Sequence, residues 1–353
     1  MKHKIKLLLR ELYARVLFHT GLHALVNRLM PRRLTVLFGH CVAQPDCNGF
    51  LPGDMKISDA KLGRIVDWFA QRYDFRPLSE AFDGVANGGA RSAVALTMDD
   101  GYRDNATALL PLLRERGLAA TIFLESRPLD ERRVNWSHKY FWLLSRGMEP
   151  AELARQLMLE SEDPAIQEEL RRLLEEGRAD VYQVKRILKY EAEPGARDRA
   201  LDAVFAAHGG DERALCESLY MSWDDARSLQ RAGFELGGHT VHHEILSGLD
   251  REGAEAEIRG CRDALERELE APPRSFAYPF GRRWDYKPET CELVREAGFA
   301  LAVNTHAGTN DGRTDVFQLR RIPIDEGAQL HLLATEACGG FDLLRRVGLD
   351  LSE

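Results

Sequence analysis

Residues Thr97-Met98-Asp99-Asp100-Gly101 place two adjacent carboxylates at the end of an apolar run, Ala93-Val94-Ala95-Leu96. That run reads as a buried β-strand, and the glycine as the turn that stops it. Neighbouring strand side chains point to opposite sides, so one acid can hold a metal while the other faces a reacting atom. A second cluster, Gly238-His239-Thr240-Val241-His242-His243, supplies imidazoles for the same ion. The spacing of four lets His239 and His243 face one side of a helical turn. Two neutral histidines and one carboxylate leave positions open for water and substrate. A divalent metal held this way lowers the pKa of water to about 7 and polarises a carbonyl, which is what amide hydrolysis needs. The pairing points to a metal-dependent hydrolase. Taken alone, Asp-Asp-Gly is also an ordinary turn, and His242 serves equally as a packed or surface residue. A zincin helix is excluded, because Ser247 stands where the ligand four after His243 is required.

The elements that must position these groups alternate between apolar strands and helical patterns. Strands are expected at Leu34–Phe38, Ala93–Met98, Ala119–Leu124, Phe234–Gly237, Ser275–Tyr278, Phe299–Asn304 and Gln318–Pro323. Helices are expected near Ser58–Tyr73, Asn105–Arg116 and Lys287–Ala297, the last with Pro288 in its first turn and Gly298 at its end. Strands separated by helices imply parallel pairing and an α/β architecture, with both clusters gathered at one end of a barrel. Residues 128–219 break the rhythm. Their charged, helix-favouring composition predicts a helical insertion, either a lid beside the site or a solvated appendage.

Three motifs in order, Thr-Met-Asp-Asp-Gly-Tyr (97–102), Glu-Leu-Gly-Gly-His-Thr-Val-His-His (235–243) and Phe-Ala-Tyr-Pro-Phe-Gly (276–281), resemble those of the polysaccharide deacetylase (NodB-homology) family. Trp223–Gly233 resembles the helix that family places before its histidine motif. The resemblance implies a distorted (β/α) barrel of about seven strands, built from residues 34–127 and 220–345 around the insertion. It implies removal of acetyl from an N-acetylated sugar of a cell-surface glycan or its precursor. Asp99 then becomes the general base, while Asp100, His239 and His243 hold the metal. Zn²⁺ suits that donor set, with Co²⁺, Ni²⁺ or Mn²⁺ as substitutes. Thr240 occupies a Ser/Thr position whose hydroxyl fixes neighbouring geometry. Tyr102, or backbone N–H groups near it, helps hold the oxyanion. Tyr278, Pro279 and Phe280 border the sugar groove.

Two positions depart from that family's pattern. The Arg that precedes its third motif and holds the base is Ala277 here, which leaves Arg320 or Arg321 as the replacement cation. The general acid is also open. Leu330-His331 resembles the family's late histidine, but its surroundings read as a helix surface. His40, at the end of the first strand, competes for the role, and His138 and His306 are further options. These departures keep two alternatives in view: a glycan-binding protein with weakened turnover, and an amide hydrolase for a non-sugar substrate. A pure binding module has no need of Asp99.

Bulk composition sets the frame. The 353 residues are 44% hydrophobic and 29% charged, as in a soluble globular protein. A net charge of −8 argues against nucleic acid as partner. Six scattered cysteines without a Cys-x-x-Cys point to a reducing compartment, so the cytoplasm is the expected setting. Residues 1–33 differ, with eight Lys or Arg against Glu11; this +7 leaves −15 for the remainder. Ile5, Leu8, Leu9, Leu12 and Val16 recur at helical spacing, so the segment is a basic amphipathic helix. Arg10 and Glu11 interrupt its apolar run, unlike a signal peptide. Two readings stand: a helix lying on the anionic inner face of a membrane, or a helix packed on the domain with its basic face in water.

Overall fold

The computed structural model describes residues 2–346. Seven parallel strands form one curled sheet: β1 (Leu34–Gly39), β2 (Ala93–Met98), β3 (Thr121–Leu124), β4 (Glu235–Gly238), β5 (Ser275–Ala277), β6 (Leu301–Val303) and β7 (Ile322–Pro323). Their order is β7-β1-β2-β3-β4-β5-β6, and the short strand Asp74–Phe75 adds to β2 off this path. β1 and β2 are buried throughout. Both faces of a parallel sheet are covered, so such strands read as unbroken apolar runs. The register sets Leu34 against Ala93 and Gly39 against Met98, so His40 and the Asp99-Asp100 pair leave the sheet side by side. The result is a distorted (β/α) barrel.

Between β6 and β7 the circle closes without a full strand. Leu319 N–H donates to the Ala302 carbonyl and Asn304 N–H to the Leu319 carbonyl, both at 2.9 Å. The strand expected over 318–323 shrinks to this bridge plus two residues. The physical reason is Asn310, whose side chain accepts from Arg320 N–H at 2.8 Å and donates to the Arg320 carbonyl at 2.9 Å in place of a ladder. Two expected helices form close to their predicted limits, at Asp59–Ala70 and Pro288–Glu296. The one expected from Asn105 opens as a π turn, Asn105–Leu109, just before Pro111, which has no N–H to give.

Residues 136–219 form six helices, from Trp136–Ser145 to Glu212–Leu219. Their apolar core includes Leu153, Ile187 and Leu201, and it continues into Cys41, Tyr102 and Tyr220 beside the strand ends. The helices are thereby seated at the barrel mouth.

The N-terminal helix, Lys2–His19, is followed by Leu22–Leu29, and it docks by a face other than the one its leucines predict. Ala14 and Leu17 are buried. Tyr13 donates its hydroxyl hydrogen bond to the Gly340 carbonyl at 2.9 Å, and the His331 ring meets Glu11 at 2.8 Å. Gly340 makes this possible, since a Cβ there would stand 2.9 Å from the Leu17 side chain. Leu8, Leu9, Leu12 and Val16 consequently face solvent. The Ile5 side chain lies outside the described residues. No helix among the described residues is long and apolar enough to cross a membrane.

Candidate metal centre

Asp100, His239 and His243 come together at the barrel mouth, each offering one ligand atom within 4.8 Å of the others. His239 Nε2 lies 3.3 Å and His243 Nε2 3.5 Å from Asp100 Oδ1, yet that buried oxygen makes no hydrogen bond. Donors about 2.0–2.1 Å from a tetrahedral ion stand about 3.3–3.4 Å apart, so the spacing fits a small divalent cation. His239 Nδ1 donates to the Ala277 carbonyl at 2.7 Å, which turns the Nε2 lone pair toward Asp100. Burial pushes the His243 imidazole well below its ordinary pKa, keeping it in the neutral form a metal requires. Burial alone would raise the Asp100 carboxyl; the surrounding His239, His243 and His40 instead hold it well below the usual carboxylate range.

The two histidines do not share a helical turn. Both sit in an irregular loop after β4, with positive φ at Thr240 (65°) and His243 (58°). Thr240 accepts the His243 N–H on its hydroxyl at 3.0 Å. Asp100, with φ of 71°, carries the same left-handed strain on the facing loop. Such backbone is costly, about 1–3 kcal/mol per residue, and persists where surroundings enforce it. Two carboxylates do so here. Glu257 accepts from the N–H groups of Val241 and His242 at 3.0 and 2.9 Å. Glu244 is gripped by Arg197 of the Pro194–Ala207 helix at 2.5 and 3.1 Å, with both side chains buried.

Asp99 occupies a separate niche. Its carboxylate oxygens each accept from Arg321, Nη1 to Oδ1 at 2.7 Å and Nη2 to Oδ2 at 2.8 Å. Arg321 is fully buried, donates through Nε to the Asn304 carbonyl at 2.8 Å, and lies 4.4 Å over the Phe38 ring. It supplies the cation that Ala277 lacks. Arg320 is exposed.

Other expected site residues are placed differently. The Tyr102 phenol meets His138 Nε2 at 2.5 Å, and Nδ1 of the same ring bonds the Tyr220 hydroxyl, so this phenol is not free to hold an oxyanion. Tyr278 is buried, donates to the Phe317 carbonyl at 2.9 Å and stacks on Tyr286, away from any groove. Thr240 and Pro279 are buried as well. Of that group, Phe280 borders the metal ligands, its ring 4.6 Å from His243. Lys189, from the Val181–Tyr190 helix, lies 3.6 Å over the Phe280 ring and 3.3 Å from Asp285. Burial lowers its ammonium pKa to about 8. His40 is half-buried at the end of β1, and its charge acts on Asp100. His331 is far from the site on the Leu330–Ala337 helix. Sequence reasoning also missed Glu125, which follows β3 and is buried against Asn135; burial raises its carboxyl well above the usual range, with Asp100 adding to it. Its one signal is its place at the end of a strand.

The pattern of the polysaccharide deacetylase family matches residues 86–182 and 198–302, together more than half of the chain. The polysaccharide deacetylase homologue YxkH of Bacillus subtilis (strain 168) is 20% identical over 115 residues, which cover 33% of this chain and 40% of that protein. The fold is similar to that of the Streptococcus pyogenes deacetylase PplD, solved in complex with acetate. That match has a TM-score of 0.55 and 16% identity over 87% of this chain and 99% of that one. IcaB from Ammonifex degensii is similar at a TM-score of 0.53 and 16% identity, over 87% and 97% of the two chains.

Proposed function

This chain belongs to the polysaccharide deacetylase family, a group of hydrolases acting on carbon–nitrogen bonds other than peptide bonds, and from that premise we propose that it removes acetyl from an N-acetylated sugar. The observation that carries the reading is the convergence at one barrel mouth of the Asp100–His239–His243 set and a distinct carboxylate, Asp99, oriented by Arg321. A divalent cation, Zn²⁺ by the donor set, would polarise the acetyl carbonyl and acidify the attacking water. Asp99 takes the proton from that water, and Arg321 keeps it ionised and aimed. With its phenol committed to His138, Tyr102 contributes its backbone N–H to the oxyanion. His40 gives the proton that lets the amine depart as the carbon–nitrogen bond breaks. Phe280 forms the wall against which the sugar packs.

The six cysteines are free thiols, in keeping with a reducing compartment, so the substrate proposed is a glycan precursor made in the cytoplasm. The loss of cation at Ala277, which favoured a non-catalytic glycan binder, is offset by Arg321. Acetate release from N-acetylglucosamine oligosaccharides and from lipid- and nucleotide-linked precursors, with and without chelator, tests the reading. Metal-dependent release from at least one of them is expected. Absence of release from all by the metal-loaded protein would refute it.

A further inference from the structure

We propose that the leucine face of the N-terminal helical pair is a docking surface for an anionic lipid bilayer. Thirteen large apolar side chains are exposed among the described residues, and eight of them lie between Leu7 and Leu29. The exposed apolar surface is therefore concentrated in one short segment, not scattered as on an ordinary surface. Leu8, Leu12 and Val16 repeat every four residues with Leu9 beside them, forming one stripe along the Lys2–His19 helix. Leu8 is 67% exposed and Leu12 57%. The stripe is not waiting for the barrel, because the opposite face already docks there through Tyr13, Ala14 and Leu17. On the second helix, Leu22, Leu25 and Leu29 are exposed at spacings of three and four, and no residue is buried.

Charge decides what covers this surface. Residues 1–33 carry +7 while the rest of the chain carries −15. Two copies meeting through the leucines would bring those cations together. Anionic headgroups instead neutralise them while the acyl boundary takes the leucines. Arg28 and Arg32, both exposed, belong to this basic set. The stripe is an interfacial face, and it holds the barrel at the membrane surface without spanning it.

The test is co-sedimentation of the full chain with phosphatidylglycerol vesicles and with phosphatidylcholine vesicles, a readout independent of turnover. The chain is expected to sediment with the first and to stay in the supernatant with the second. A Leu8→Ser/Leu12→Ser/Val16→Ser variant and an Arg28→Glu/Arg32→Glu variant, each with an unchanged circular dichroism spectrum, should each weaken partitioning about ten-fold or more. The changed side chains face solvent, so the fold does not depend on them. A full chain left in the supernatant with phosphatidylglycerol would overturn the proposal, as would equal binding to both lipids or a serine variant that sediments undiminished. So would a dimer, seen by sedimentation velocity, that the serine substitutions convert to monomer.

Discussion

Arg321 holds both carboxylate oxygens of Asp99 in a two-pronged pair, at 2.7 and 2.8 Å, across 222 residues of chain. Both partners are buried, and each is the other's charge compensation. Arg321→Ala would leave Asp99 charged and alone, at a cost of about 3–5 kcal/mol in stability. Arg321→Lys retains the charge but cannot span both oxygens, so it should fold better and still lose turnover. Urea unfolding and acetate release of the two variants check this. Equal stability of Arg321→Ala and the wild type would contradict it.

The Arg197–Glu244 pair ties the insertion to the loop that carries His239 and His243. Glu244→Gln should cost about 2 kcal/mol, less than a fully orphaned charge, because Arg197 also bonds Asp198 at 2.9 and 2.8 Å. Loosening the loop should weaken Zn²⁺ binding about ten-fold, as loss of a supporting contact commonly does. Competition with a chromogenic chelator measures that affinity. An unchanged affinity would show that the insertion does not position the ligands.

His138 makes stability pH-dependent in a defined direction. Burial lowers its pKa from 6.5 to about 4, and its two ring nitrogens are each met by a phenol, as a neutral imidazole allows. Above pH 6.5 neither state is protonated, and its contribution is fully present. As pH falls toward 4 the unfolded chain takes up a proton that the folded one refuses, so stability drops by up to about 3 kcal/mol. His138→Gln should show a shallower loss over this window in urea titrations. Parallel slopes for variant and wild type would rule out the assignment.

Much of the barrel and metal group was legible because it rests on local pattern. Buried parallel strands announce themselves as apolar runs, as at Ala93–Met98, and ligands follow their ends. What local pattern cannot carry is contact across the chain. It narrowed the replacement cation to Arg320 or Arg321 but could not choose, since the Asp99 contact depends on barrel closure. The spacing of His239 and His243 suggested a helical turn, whereas the positive φ of Thr240 is imposed by Glu257 and the insertion. Tyr102 looked available until His138 and Tyr220, from distant segments, were found to occupy its phenol. The N-terminal periodicity was visible, but which face would dock turned on the bare surface of Gly340.

The division of labour between the adjacent aspartates is the centre of the account, and one paired measurement addresses it. Metal content and acetate release should be determined together for Asp99→Asn and Asp100→Ala. Asp99→Asn should keep its ion and lose about 10²–10⁴-fold in turnover, while Asp100→Ala should lose the ion itself. Full-rate acetate release by Asp99→Asn, or an Asp100→Ala protein that holds Zn²⁺ as tightly as the wild type, would contradict it.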